Sequence, residues 1–167
     1  MTPNGTLTTM YSFCYRSGCP DGAAPYATVV QGRDGNFYGT TYGGGAYGSG
    51  TVFKMTPNGT LTTLYSFDGA DGSQPYAGLI QASDGNFYGT TYGGGAYDQG
   101  TVFKIASSGT LTTLHSFSGP DGADPAYGSL VQGADGTFYG TTVGGGAYGY
   151  GTVFRLGVAH SCVTCRP

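Results

Sequence analysis

Residues 84–117 read DGNFYGTTYGGGAYDQGTVFKIASSGTLTTLHSF, and residues 34–67 read DGNFYGTTYGGGAYGSGTVFKMTPNGTLTTLYSF. At an offset of 50, 27 of these 34 aligned positions are identical. A third copy starts at Asp135 with DGTFYGTTVGGGAYGYGTVFRL, offset by 51 because one residue is inserted near Ala126. A period of about 50 residues lies beside the kelch-type propeller repeat and above the WD40 length. Copies this similar must fold alike, so one reading of the repeat serves all three.

Each copy carries four short β patterns. Strand a is residues 51–56 (TVFKMT), and Pro57-Asn58-Gly59 makes a tight turn into strand b, residues 60–67 (TLTTLYSF). Alternation along strand b puts Leu61, Thr63, Tyr65 and Phe67 on one face and Thr62, Leu64 and Ser66 on the other. A loop over residues 68–75 leads to strand c, residues 76–82; Asp84-Gly85 then turns the chain into strand d, residues 86–92. Asn-Gly and Asp-Gly tolerate the positive φ of tight hairpin turns. The expectation is a four-stranded antiparallel meander paired in the order a-b-c-d, repeated three times.

Apolar and small residues occur on both faces of these strands, so both faces of each sheet must be covered. Sheets stacked face to face around an axis meet that demand, which predicts an all-β fold of three four-stranded antiparallel blades, β-propeller-like. Gly89 and Gly93–Gly95 would let backbones approach where blades converge. A β-prism or β-trefoil also builds three four-stranded units from this length and stands as the alternative.

Composition supports the β reading. Of 167 residues 34 are Gly, near one in five against a usual share of about 7%. All nine acids are Asp, and only Lys54 and Lys104 are lysines, so the residues that surface helices are missing. Gly does not recur every third position, which excludes collagen, and 24 aromatic residues supply a core that a disordered chain lacks. A net charge of −3 with no basic cluster argues against a nucleic-acid partner. No apolar run approaches the roughly 20 residues of a membrane span, and Met1 leads at once into a turn-and-strand pattern rather than a leader. One repeat domain is expected over 1–156, in copies of about 1–50, 51–100 and 101–156 cut out of phase with the blades. A Cys-containing tail follows at 157–167.

The segments DGNFYGTTYGGG (84–95), GTVFK (100–104) and GTLTTLYSF (59–67) resemble the GloVer tandem repeat of bacterial extracellular choice-of-anchor proteins. The stretch FCYRSGCPDGAAPYA (13–27) is similar to that family's Cys-containing loop variant. The resemblance covers about 1–156. It implies an extracellular or cell-surface repeat protein of unknown biochemical activity and brings no catalytic residues. The secretion signal, further repeats and sorting segment that the resemblance implies are not read here, pointing to a fragment, a processed chain or a gene start called internally.

Given that extracellular context, Cys14 and Cys19 are expected to form a local disulfide. They flank the one copy of the b–c loop that is four residues longer than its equivalents. Cys162 and Cys165 form a second close pair, for which a tail disulfide, bonding between the pairs, a redox CxxC and a Cys₄ zinc site are the readings. No metal or other cofactor is assigned. Asp68, Asp71, Asp121 and Asp124 in the b–c loops could offer oxygens to calcium, but Asp-Gly turn chemistry explains them equally. Asn4 and Asn58 begin Asn-Gly-Thr sequons and also sit in hairpin turns. His115 stands where Tyr11 and Tyr65 stand in the other copies and reads as a packing variant; His160 lies in the tail. No Ser/His/Asp set can be named, and the chain is not read as an enzyme.

The leading functional reading is a structural module that self-associates. The chain opens with strand b at 6–13 and closes with strand a at 152–156, which the junctions at 51–67 and 101–117 show joined. Thr6, Leu7, Met10 and Phe13 of one copy would therefore pair with Thr152, Val153, Phe154 and Leu156 of another, head to tail, giving a homo-oligomeric ring or filament. A second reading is a carbohydrate-binding module in which Tyr42, Tyr47, Tyr92, Tyr97 and Tyr148 stack on surface glycans, and an enzyme of unknown type is the third and least favoured.

Overall fold

The computed structural model describes residues 5–158, and all of its strands run antiparallel in three sheets. The first sheet holds β1 (Val30–Gln31), β2 (Phe37–Thr41), β3 (Thr51–Met55) and β4 (Leu61–Ser66), in that spatial order. The second repeats it with β5 (Ile80–Gln81), β6 (Phe87–Thr91), β7 (Thr101–Ile105) and β8 (Leu111–Ser116). The third has three strands, β9 (Val131–Gln132), β10 (Phe138–Thr142) and β11 (Thr152–Leu156). The arrangement is propeller-like, and the sheets do not close into a ring.

The strands lie close to where alternation places them, but the sheets are cut at a different point. Within each blade the order is c-d-a-b rather than a-b-c-d, because β6 pairs with β7 over five residues while β8 makes no ladder with β9. The reason is in the connections. The d–a link folds back as a glycine loop in which Gly94 and Gly95 take φ of +73° and +80°. A Cβ on Gly94 would come within 2.4 Å of the Gly69 carbonyl oxygen, so only glycine fits there. The neck of that hairpin is pinned by the buried hydroxyls of Thr91 and Thr101, 2.8 Å apart. The b–c loop is left to carry the chain into the next blade. Thr6–Phe13, expected as strand b, joins no ladder among the described residues.

A β-bulge also breaks the alternation expected in strand b. Val52 pairs with Tyr65 and Phe53 with Thr63, leaving Leu64 as the extra residue, so Leu64 and Tyr65 both pack on the core. The core lies between blades. Tyr38, Val52 and Phe67 from the first blade meet Leu79, Phe87, Phe103 and Ile105 from the second. Tyr88, Val102 and Phe117 meet Leu130 and Phe138 in the same way. Gly89 makes room for this packing: a Cβ there would stand 2.8 Å from both the Phe103 ring and Leu79.

Candidate functional site

The two blade junctions use one set of contacts. Tyr38 stacks on Phe87 with centroids 3.9 Å apart, and Tyr88 stacks on Phe138 at 4.1 Å. Phe67 meets Phe103 edge-on at 5.2 Å, and Phe117 meets Phe154 at 5.1 Å. Polar contacts repeat as well. The Arg33 N–H donates to Gln81 Oε1 and the Ser83 N–H to Gln132 Oε1, each at 2.9 Å. The Gln74 N–H donates to the Ser49 carbonyl at 2.8 Å, and the Asp124 N–H to that of Gln99 at 3.0 Å.

Each half of this junction is also left open once. Val52 and Val102 are 0% and 1% exposed, but Val153, at the same position in the third blade, is 82% exposed. Tyr139 and Val131 beside it are exposed too. At the opposite end Val29 is exposed and Phe37 half-buried, where their counterparts Leu79 and Phe87 are buried. Beside that first blade lies the segment Thr6–Phe13. Phe13 rests on Phe53 at 5.1 Å, as Phe67 does on Phe103. Met10 O stands 2.8 Å from a Cβ built on Gly59, and Leu64 O stands 2.8 Å from one built on Gly109. The segment thus occupies, next to blade one, the place that strand b of a preceding blade would take. Of the residues expected to self-associate, Thr6, Leu7, Met10 and Val153 are exposed, and Phe13, Thr152, Phe154 and Leu156 are half-buried.

A second feature is a pocket of about 540 Å³ where the three inner strand-c segments converge. Tyr26, Tyr76 and Tyr127 line it, one from each blade, together with Thr28, Gly78 and Ser129. Tyr26 and Tyr76 have centroids 5.4 Å apart with planes at 18°, and Tyr127 lies 6.0 Å beyond Tyr76. Tyr42 and Tyr92 join from strand d, at 4.7 and 5.7 Å from Tyr76. Two of the five tyrosines expected to bind sugar therefore reach this cluster. Tyr47, Tyr97 and Tyr148 sit exposed on the d–a loops, and the loop of Tyr47 is tied to the outer strand by the bond from the Ala46 N–H to Ser66 Oγ. Sequence reading missed Tyr26, Tyr76 and Tyr127, although a proline stands one or two residues before each, straight after the b–c loop.

The remaining candidates fall into structural roles. Cys14 and Cys19 are disulfide-bonded; Cys162, Cys165, Asn4 and His160 lie outside the described residues. Asn58 is exposed in its turn and accepts a hydrogen bond from Thr60 Oγ1 at 3.1 Å. His115 does replace a tyrosine in kind: its Nε2 lies 2.7 Å from Asp121, where Tyr11 donates to Asp21 and Tyr65 to Asp71. Burial and then the Asp21 bond push the Tyr11 hydroxyl up to about 12. The Asp71 bond and then burial do the same to Tyr65. The loop carboxylates close their own turns, Asp71 accepting the Asp68 N–H and Asp121 that of Ser118.

No curated protein matches the sequence. The model of the Gloeobacter/Verrucomicrobia repeat matches residues 1–165, and a chain built throughout from that repeat, with one blade junction used twice and its two halves exposed, belongs to the Gloeobacter/Verrucomicrobia repeat family.

Proposed function

We propose that this chain is a non-catalytic structural module whose copies join head to tail through the blade junction. The observation that carries the reading is the pair of unmatched halves. One end presents Tyr139, Val153 and Val131, and the other presents Phe37, Val29 and the unladdered segment Thr6–Phe13. Inside the chain the counterparts of these two surfaces bury each other twice. A second copy's Thr6–Phe13 would complete blade three as its fourth strand. Its Phe13 N–H would meet the Gly151 carbonyl, as the N–H groups of Phe67 and Phe117 meet those of Gly50 and Gly100 at 3.0 Å. Three blades fall short of the roughly four to eight of a typical propeller, so joining gives either a two-chain ring or an open filament. The Cys14–Cys19 disulfide suits an extracellular or cell-surface setting.

Sedimentation of the intact chain tests the proposal. Masses at multiples of 17.0 kDa are expected, with Val153→Asp shifting the population to monomer. A monodisperse 17.0 kDa species, or assembly indifferent to Val153→Asp, would overturn it.

A further inference from the structure

We infer that the convergent tyrosine pocket is a binding site for a neutral saccharide, held by ring stacking on Tyr26, Tyr76 and Tyr127. Three features of the site point to that ligand class. First, its lining carries no charged side chain, so nothing in it would recognise a phosphate, a carboxylate or a cation. Second, its polar groups are hydroxyls: the phenols themselves, Thr28 and Ser129, set between apolar ring faces and the small Ala77 and Gly78. A pyranose ring has the matching surface, apolar C–H groups on its face and hydroxyls around its rim. Third, the outer rings of the cluster stay accessible. Tyr26 and Tyr127 are 65% and 82% exposed, and Tyr76, with a tyrosine on either side, is still only half-buried. Rings gathered only for packing would be covered, as Tyr38 and Tyr88 are at the blade junctions. The volume of about 540 Å³ falls within the range of small-molecule sites.

Gly78 keeps the floor of the pocket open. A Cβ there would stand 2.9 Å from Ser129 Oγ and 3.3 Å from the Thr28 carbonyl, so all three blades close on this residue. One chain supplies every lining group, and the inference therefore stands independently of head-to-tail assembly.

The chain contains no tryptophan, so its emission comes from its 15 tyrosines, those of the pocket among them, and the Tyr76 variants isolate the pocket's share. The test is calorimetric and fluorescence titration with cellohexaose and laminarihexaose, on the intact chain and on Val153→Asp. Saturable binding of at least one oligosaccharide is expected in both proteins, with quenched tyrosine emission. Tyr76→Ala should weaken it by roughly tenfold, Tyr76→Phe should retain most of it, and Tyr47→Ala should leave it unchanged. Absence of binding of both sugars at about 10 mM, an affinity too weak to matter for a pocket of this size, would overturn the inference. So would binding that survives Tyr76→Ala in a chain whose circular dichroism matches the parent. Binding that persists in Val153→Asp while assembly is lost separates this site from the junction.

Discussion

Tyr88 of the second blade lies flat against Phe138 of the third, ring centroids 4.1 Å apart and planes at 26°. Tyr38 and Phe87 repeat the pair one blade earlier, also at 26°. In each case the tyrosine hydroxyl is spent within its own blade, donating to the Asp of the c–d turn: Tyr38 to Asp34 and Tyr88 to Asp84, both at 2.8 Å. The aromatic face is thereby free to serve the neighbour while its one polar atom is satisfied at home.

The first prediction follows from that pair. Phe138 is buried against Tyr88, whereas Phe37 meets no such tyrosine among the described residues. Phe138→Ala should destabilise the fold by about 3–5 kcal/mol, the usual cost of emptying a buried aromatic site. Phe37→Ala should cost less than half of that. Urea unfolding of both variants in the Val153→Asp background measures the difference without interference from assembly. Equal losses would mean that Phe37 is packed as tightly as its counterparts.

Thr40 and Thr90 give an internal comparison of the same kind. Thr40 Oγ1 donates to the Ala77 carbonyl across the first junction at 3.3 Å, while the buried Thr90 Oγ1 has no partner among the described residues. The segment that would supply it, around Gly128, follows the inserted Ala126. Thr90→Val should therefore stabilise the protein by about 1 kcal/mol, and Thr40→Val should destabilise it by a similar amount. Thermal unfolding of the pair reads opposite signs from one chemical change.

Two aspartates should shape the acid limb of stability in opposite directions. At Asp34 the hydrogen bond from Asn36 leads, and with those from Tyr38 and Lys54 it outweighs burial and holds the carboxyl well below its ordinary range. A lowered folded pKa contributes stability above the unfolded value of about 4 and loses it as pH falls through that value and beyond. Asp34→Asn should flatten the loss between about pH 4 and pH 2. Asp124 is raised, first by burial and then by the nearby Asp98. Its contribution is present at low pH and lost as pH rises through its folded pKa, so Asp124→Asn should raise the melting temperature at neutral pH by about 1 °C and change little near pH 3. Melting curves across that range distinguish the two signs.

Most of the strand positions were legible because turn chemistry and alternation are local. Pro57-Asn58-Gly59 and Asp84-Gly85 end strands where they should, with Gly59 and Gly85 at φ of +88° and +84°. Which strands pair across the longer links was not legible, since alternation is the same whether strand b lies beside strand c or at the edge of a blade. Only the fold of the glycine loop decides it, through approaches such as that of Gly94 to Gly69. The bulge at Leu64 escaped for a related reason, because it depends on register against Val52 and Phe53. Of the axial cluster, Tyr42 and Tyr92 were legible as candidate ligand contacts at the end of strand d, beside the glycine loops. Tyr26, Tyr76 and Tyr127 passed as ordinary positions at the start of strand c, since nothing in a single repeat reveals that three such positions meet.

The position of the blade boundary inside the repeat has a bearing on how such proteins can change length. A unit running from one strand a to the start of the next, such as 51–100, contributes the outer half of one blade and the inner half of the next with its glycine loop. Every duplication of that unit therefore lays down a whole junction, because the b–c loop already spans it. Copies can be gained or lost from the interior without leaving any strand there unpaired, and the mismatch is always passed to the two outermost surfaces. Length becomes an inheritable variable of this architecture, while the geometry of each seam stays constant.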